Sequence, residues 1–403
     1  MANTLLTISM ITREALRILE NNLAFTKRVN RQYDDKFAIE GAKIGYVVNA
    51  RKPVRYVVTT GQALSLQDAT ETQVPVALTT QDHVDFQFSS ADLALSVDDF
   101  KDRFLQPAVA ALANKIDYNG LQLYSSIWNL VGTPGTTPTA LLTYLLAGVA
   151  LDNNAAPMDE QRSVVVTPKM QAYIVDALKG LFQQATAIAQ QYVKGTMGRA
   201  SGFEWAMDQN CPTHTIGAFT GTPLMAAVGT EGATSISTDG WGASITGCLK
   251  RGDVFTIDDV YMVNPQSRVS TGELQQFVVT ADVDSAGGGT ATVPISPALI
   301  TTGAFQTINA LPANNAPINV VGAASTQTPQ GLAFHRDAFT LVTADLPVPK
   351  GVDMGSRISD KQLGISLRMV RAYDINTDQW PCRIDILYGW ATLRPELACR
   401  VAA

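Results

Sequence analysis

The chain is poor in the residues that most chemistry needs. Its 403 residues hold three histidines, His83, His214 and His335. They lie far apart, and their neighbours in sequence suggest no partner for a catalytic or metal-binding role. The four cysteines, Cys211, Cys248, Cys382 and Cys399, are scattered with no C-x-x-C pair. Disulfide scaffolds and structural zinc sites both need clustering, so these thiols read as small buried hydrophobes. No phosphate-binding G-x-x-x-x-G-K-[ST] loop, G-x-S-x-G elbow or H-E-x-x-H helix occurs, and no cofactor or metal is expected. Charge is also scarce. Asp, Glu, Lys and Arg make up 16 % of the chain, against ~25 % in ordinary globular proteins. The net charge of −6 argues against a global electrostatic grip on nucleic acid. The N-terminus lacks a basic n-region, and Arg13 and Glu14 interrupt its apolar run. The richest later apolar stretch, Ala140 to Leu151, is too short to span a bilayer, so no membrane partner is expected. A soluble chain made in a cytoplasm is the expectation.

Thr, Ser, Asn, Gln and Ala stand where charge is missing. A surface of that kind costs less to desolvate against another protein than one covered in Lys and Glu. Hydrophobic residues reach 46 %, ample for packed cores, and the length predicts two to four modules at roughly 100–200 residues each.

Residues 5–23 read as an amphipathic helix, with Ile8, Ile11, Ala15, Ile18 and Leu19 on one face. From Phe37 to Phe88 the pattern becomes extended. Lys43–Val48, Arg55–Thr60, Val74–Leu78 and Val84–Phe88 are β-rich, with a polar tip between them. This predicts a long two-stranded arm, marginal when isolated and suited to lying on a neighbour. Its charge is polarised. Lys27, Arg28, Arg31, Lys36, Lys43, Arg51, Lys52 and Arg55 dominate residues 27–55, while Asp68, Glu71, Asp82, Asp85, Asp92, Asp98, Asp99 and Asp102 dominate 67–102. Two readings are open. The limbs pair internally as solvated faces of one hairpin, or the basic limb crosses an acidic surface of an adjacent subunit and sets register. On the second reading Arg51, Lys52, Arg55, Asp68, Glu71, Asp98, Asp99 and Asp102 are the candidate inter-subunit contacts.

Ser96–Asp99 resembles a capping box opening a helix, and Pro107 forces a kink or a fresh start. Val109, Leu112, Ile116, Leu123, Ile127 and Leu130 then predict one long helix. Thr137-Pro138 caps a short apolar helix to about Leu151. Ser163–Val166 is a buried-type strand, and Thr167-Pro168 opens a helix to about Leu181. A further strand is expected around Phe203–Trp205. Residues 220–330 are rich in Gly, Thr, Ala and Val, with short β runs at Ser244–Thr246, Val254–Ile257, Gln276–Val279 and Ala291–Val293. Such close spacing predicts a small antiparallel barrel or sandwich, inserted in an α+β body that resumes with strands at Ile365–Val370 and Arg383–Tyr388. Asp258-Asp259 is expected at a turn between strands, and Arg251-Gly252-Asp253 reads as ordinary turn chemistry.

Four stretches carry a family resemblance: Asp98–Asp117, Leu249–Ile257, Gln330–Phe339 and Cys382–Glu396. In order, they resemble the spine helix, a strand–turn–strand of the inserted domain, the return strand after the insertion, and the closing strand of the major capsid proteins of tailed double-stranded DNA bacteriophages. The similarity is to the short-tailed phage coat-protein subfamily with an inserted β-barrel. It implies an N-terminal arm helix over 1–36, an extended β arm and peripheral strands over 37–96, and a peripheral domain with spine helix over 97–148. It further implies a first part of an axial domain over 149–219, the inserted barrel over 220–330, and the axial and peripheral return over 331–403. Implied partners are further copies in pentamers and hexamers, a scaffolding protein and a portal protein. The implied product is an icosahedral head, assembled in the bacterial host cytoplasm, that encloses DNA without tight specific binding. One departure stands out. The family's inserted domain can bear a long charged loop that pairs across two-fold axes, yet Gly221–Thr234 has Glu231 as its only charge. Nor is a self-crosslinking Lys–Asn pair seen. Two other readings compete. A soluble hydrolase with a carbohydrate-binding β domain requires paired carboxylates that do not stand out. A tail or fibre protein requires repeats, and none are evident.

Overall fold

The computed structural model describes residues 23–31, 47–62, 64, 66–68, 71–89, 106–178, 198–360 and 365–403, with 13, 15–17 and 19 near the N-terminus. In chain order the elements are β1 (Val47–Arg51), β2 (Gln73–Ala77), β3 (Thr80–Ser89), α1 (Gln106–Leu121), β4 (Leu130–Val131), α2 (Leu141–Asn153), β5 (Arg162–Val166), α3 (Pro168–Leu178), β6 (Arg199–Ala200), β7 (Phe203–Met207) and β8 (Thr213–Thr215). There follow β9 (Gly221–Met225), β10 (Ser235–Trp241), β11 (Val254–Val263), β12 (Ser270–Val279), β13 (Ala291–Ser296) and β14 (Ile318–Val320). The chain closes with β15 (Gln327–His335), β16 (Phe339–Ala344), β17 (Met354–Asp360), β18 (Ile365–Arg371), β19 (Gln379–Thr392) and β20 (Ala398–Ala402). The α+β class expected from the sequence is what forms.

Two compact units emerge. One gathers residues 1–51, 73–120 and 339–393, the other 52–72, 121–338 and 394–403. In the first, β16, β19, β18 and β17 form an antiparallel sheet with β3 alongside β19. The β1–β2 ribbon, in register from Val47↔Ala77 to Arg51↔Gln73, turns Val48, Ala50, Val76 and Leu78 onto Val342, Ala344, Ala391 and Leu393. The ribbon and sheet come so close that a Cβ on Gly389 would lie 2.2 Å from the Ala77 carbonyl oxygen. Helix α1 buries Val109, Leu112, Ala113 and Ile116, the spacing of one helical face. Its buried Asp117 accepts from the backbone N–H groups of Ala24, Phe25 and Thr26 at 2.6, 3.2 and 3.0 Å, and from the Thr26 hydroxyl. Of the expected N-terminal helix, the described residues 13, 15–17 and 19 are helical, with Ala15 and Leu19 buried.

The second unit holds a mixed sheet in the order β4-β20-β15-β5-β7-β6, with β8 beside β15. Every residue of β5 is buried, Arg162 and Ser163 included, and its last three residues, Val164–Val166, run apolar rather than alternating, as in a strand covered on both faces. The Thr167 hydroxyl caps α3, accepting the Met170 N–H at 3.1 Å. Strands β9–β14 form an antiparallel sheet in the order β14-β11-β12-β13-β10-β9. Its end strands meet through a bridge at Leu224↔Pro317, so the sheet curls onto itself. Phe255, Phe277, Ile257, Val279, Ile295 and Trp241 fill its own core.

Several local expectations are corrected. The long helix stops at Leu121, because the Ser125 and Ser126 hydroxyls bond back to the carbonyls of Gln122 and Leu123 in a 3-10 turn. Leu130 then enters a strand. Arg55–Thr60 forms no strand. Past Arg51↔Gln73 the ladder is replaced by the Gln67 side-chain amide, which takes both the N–H and the carbonyl of Val57. Helix α2 starts at Leu141 behind Ala140, without a side-chain cap from Thr137. Ser244–Thr246 is a turn, with Ser244 at φ +53°. Asp258-Asp259 is no turn between strands; it sits in a register shift inside β11, with Asp259 at φ +65°. Gly221–Thr234 is not wholly a loop, since its first five residues are β9, and Glu231 is engaged by the Thr301 N–H and hydroxyl. The Ser96–Asp99 capping box lies outside the described residues.

Candidate functional site

The base of the arm leads into a recess of about 340 Å³ in the second unit. Lys52 and Arg55 enter it just past the end of β1 at Arg51, where the Lys52 N–H is held on the Thr72 carbonyl at 2.8 Å. Arg394 and Glu396 enter from the turn before β20, where Pro395 opens a 3-10 helix. Arg55 donates to Glu396 at 2.9 Å and lies over the Phe305 ring, and Arg394 stands 3.7 Å from the same carboxylate. Two arginines thus share one carboxylate, with the Lys52 ammonium nearby. Burial pulls the Lys52 ammonium below its ordinary pKa, Glu396 pulls it back up, and Arg55 and Arg394 add to the lowering. Trp128, Met262, Ile300 and Phe305 supply the apolar wall. The recess thus sets an excess of positive charge beside an apolar wall.

Beyond that base, most of the arm's described residues are exposed. Tyr56 is tethered through its carbonyl to Arg268 at 2.9 Å, yet Val58, Leu64 and Leu66 are 90, 85 and 86 % exposed. Asp68 and Glu71 lie in this exposed stretch. Of the candidate contacts, the structure therefore brings Lys52 and Arg55 together in one recess and places Arg51 on the surface of β1. Asp98, Asp99 and Asp102 lie outside the described residues. The sequence reading missed Arg394 and Glu396 as partners of Arg55, since 341 residues separate Arg55 from Glu396.

A second polar cluster is buried. His214 Nε2 lies 2.7 Å from Asp253 Oδ1 and Nδ1 lies 3.1 Å from the Tyr124 hydroxyl. Asp253 Oδ2 accepts the N–H groups of Lys250 and Gly217 at 2.7 and 3.0 Å. Arg400 donates to Gln330 at 3.0 Å and to the Gly252 carbonyl, with its guanidinium over the Tyr124 ring. Burial pushes Arg400 down to about 10. Gly252-Asp253 is thus a turn, as expected, but one whose carboxylate anchors the β9–β14 sheet on the strands beside it. Both nitrogens of His214 are engaged inside this buried cluster. His335 likewise sits 3.2 Å from both oxygens of Asp159, and His83 3.0 Å from Asp85. The signal that could have exposed this cluster is Arg400 itself, a lone cation in the apolar run Ala398–Ala402, where burial demands partners. Burial pushes the thiols of Cys248 and Cys382 up to about 11 and that of Cys399 up to about 12, against chemistry at those sulfurs.

Among the described residues no helix is long and apolar enough to cross a membrane. Helix α2 is nonetheless apolar on two faces. Tyr144, Ala147 and Leu151 point into the unit, while Leu142, Leu145, Leu146 and Val149 are exposed. Exposed apolar side chains thus cluster on the arm and on α2.

The family model described as "P22 coat protein - gene protein 5" matches residues 1–400. The chain belongs to the P22 coat protein family. It is a major capsid protein, a structural subunit of the virion's capsid that assembles with others into a shell. Nothing supports the hydrolase reading. No curated protein matches the chain. Among solved structures it is similar to one from Mycobacterium phage Che8, at 13 % identity and a TM-score of 0.46, covering 94 % of this chain and 90 % of that one. The capsid of cyanophage P-SCSP1u gives 12 % identity, a TM-score of 0.42 and coverage of 89 and 83 %. A virus-like particle from Pyrococcus furiosus gives 8 %, 0.39 and 96 % of both chains.

Proposed function

We propose that this coat protein builds the icosahedral head of a short-tailed phage through an arm that overlaps the neighbouring subunit. The observation that carries the reading is the stretch between Lys52 and Thr72. Its base is cationic, and its tip exposes Val58, Leu64 and Leu66 to solvent. A segment of that composition has little to gain from standing alone, and much from covering a neighbour. Arg51, Lys52, Arg55, Asp68 and Glu71 are the contacts proposed along it, with Asp98, Asp99 and Asp102 at the far end of the acidic limb.

The curled β9–β14 sheet, with a core of its own, fits the inserted barrel of the short-tailed subfamily. Pentamers and hexamers are the proposed capsomers, built in the host cytoplasm around a scaffolding protein and started at a portal. The net charge of −6 fits a shell that encloses double-stranded DNA without gripping it. No enzymatic step is proposed. Expression of the chain with its scaffolding partner should give closed particles by negative-stain microscopy. Reversal of Arg51, Lys52 and Arg55 together should leave a folded monomer that forms none. Wild-type particle yield from that triple variant would remove the basic limb from the assembly contact.

A further inference from the structure

The recess at the arm's base and the tip of the arm are complementary to each other. In the recess, Glu396 serves Arg55 and Arg394, and Lys52 makes no ion pair among the described residues. The site therefore carries two positive charges in excess of its one carboxylate. At the tip, residues 56–72 contain no Lys, Arg or His, and their only charges are Asp68 and Glu71. Asp68 makes no ion pair within its own chain among the described residues. Two residues before it stand Leu66 and, two further back, Leu64, both almost fully exposed. An anion preceded by two leucines matches cations set beside Trp128, Met262 and Phe305. The sign of the charge and the apolar surface agree at both ends.

We propose that the recess lined by Lys52, Arg55 and Arg394 receives the arm tip of a second copy of the chain, with Leu64 and Leu66 against the apolar wall and Asp68 among the cations. The proposal rests on the arm-overlap reading and names its receptor. Each copy offers both a tip and a recess, so the contact is head-to-tail, the kind that closes into rings when the rotation permits. The charged pairs set register, and the leucines bury apolar surface. Because donor and receptor sit at opposite ends of one short arm, every subunit of a ring is held twice.

A charge swap tests the pairing in the full chain. Lys52→Glu and Asp68→Lys should each lower particle yield by at least about tenfold, with monomers that melt as the wild type does. The double variant K52E/D68K should recover to within about threefold of wild type. No loss in either single variant, or no recovery in the double from folded single variants, overturns the proposal. Wild-type shells give a readout that does not depend on folding of variants. Shells assembled from mixed isotope-labelled and unlabelled copies are treated with a zero-length carbodiimide. A mixed-isotope peptide joining Lys52 to Asp68 is expected; its absence among other inter-copy crosslinks overturns the assignment. The combined variant L64S/L66S distinguishes a role of the arm in assembly from its docking in this recess. Normal particles from it remove the arm from assembly altogether. Loss of particles without recovery in the charge swap keeps the arm and discards this receptor.

Discussion

Asp117 illustrates how one residue can join distant parts of the chain. It lies in the last turn and a half of α1 with 1 % of its surface exposed, and a buried carboxylate is tolerated only where hydrogen bonds replace water. Three consecutive backbone N–H groups, at residues 24, 25 and 26, and the Thr26 hydroxyl supply them. The arrangement is an N-cap contributed from outside the local sequence, since Phe25 provides no side-chain cap to the Thr26–Arg28 turn. Asp117→Ala should therefore cost roughly 2–4 kcal/mol, because several buried donors lose their acceptor at once. Thr26→Val, which removes one bond and keeps the volume, should cost about 1 kcal/mol. Urea unfolding of the monomer measures both, and equal losses for the two variants would show that Asp117 is not the shared acceptor.

At the scale of elements, periodicity carried the sequence reading where one chain segment decides its own fate. Val109, Leu112 and Ile116 announce α1, and Thr167-Pro168 announces α3, because face spacing and caps are local properties. The reading failed where a distant segment took over. Leu123, Ile127 and Leu130 continue the helical stripe, but Leu130 is claimed by β20 and by the Gln276 side chain, which bonds both its N–H and its carbonyl. Arg55–Thr60 has strand composition, yet the Gln67 amide occupies the main chain that a ladder would use. The recess shows the same limit, since nothing near Arg55 foretells Glu396. The β3–β19 pair offers a test at this scale. Arg383 donates to Asp85 across the pair through Nε at 2.8 Å and Nη2 at 3.1 Å. That hydrogen bond holds the Asp85 carboxyl below its ordinary range, with burial opposing it more weakly. A depressed carboxylate stabilises the fold above its unfolded pKa of about 3.9, and the contribution disappears as pH falls through the folded value. Asp85→Asn should then lower the melting midpoint slightly at pH 7, by little because the pair is half exposed. The difference from wild type should shrink as pH falls below about 4. A difference that holds constant down to pH 2 would assign the effect to something other than this ion pair.

For the whole molecule, the surfaces left uncovered say most about the working state. Helix α2 has Asp152 as its only charged residue and carries Leu142, Leu145, Leu146 and Val149 outward at the spacing of a single stripe. Beside it Leu130, Val131 and Leu274 line a groove of about 290 Å³. Single exposed leucines are ordinary, but a helix apolar on two faces normally has both of them covered. In a coat protein the shell is what can bury it, and a second subunit is the partner available at every position. Leu142→Glu with Leu145→Glu should leave monomer stability within about 0.5 kcal/mol of wild type, since neither side chain is part of the core. The same pair should strongly reduce shell formation, because two carboxylates would be desolvated in an apolar contact. Sedimentation velocity separates the two effects, reading folded monomer and assembled shell in one run. Shells forming at wild-type yield from this variant would place the stripe away from every subunit contact, and the exposed leucines of α2 would then require a partner other than the coat protein itself.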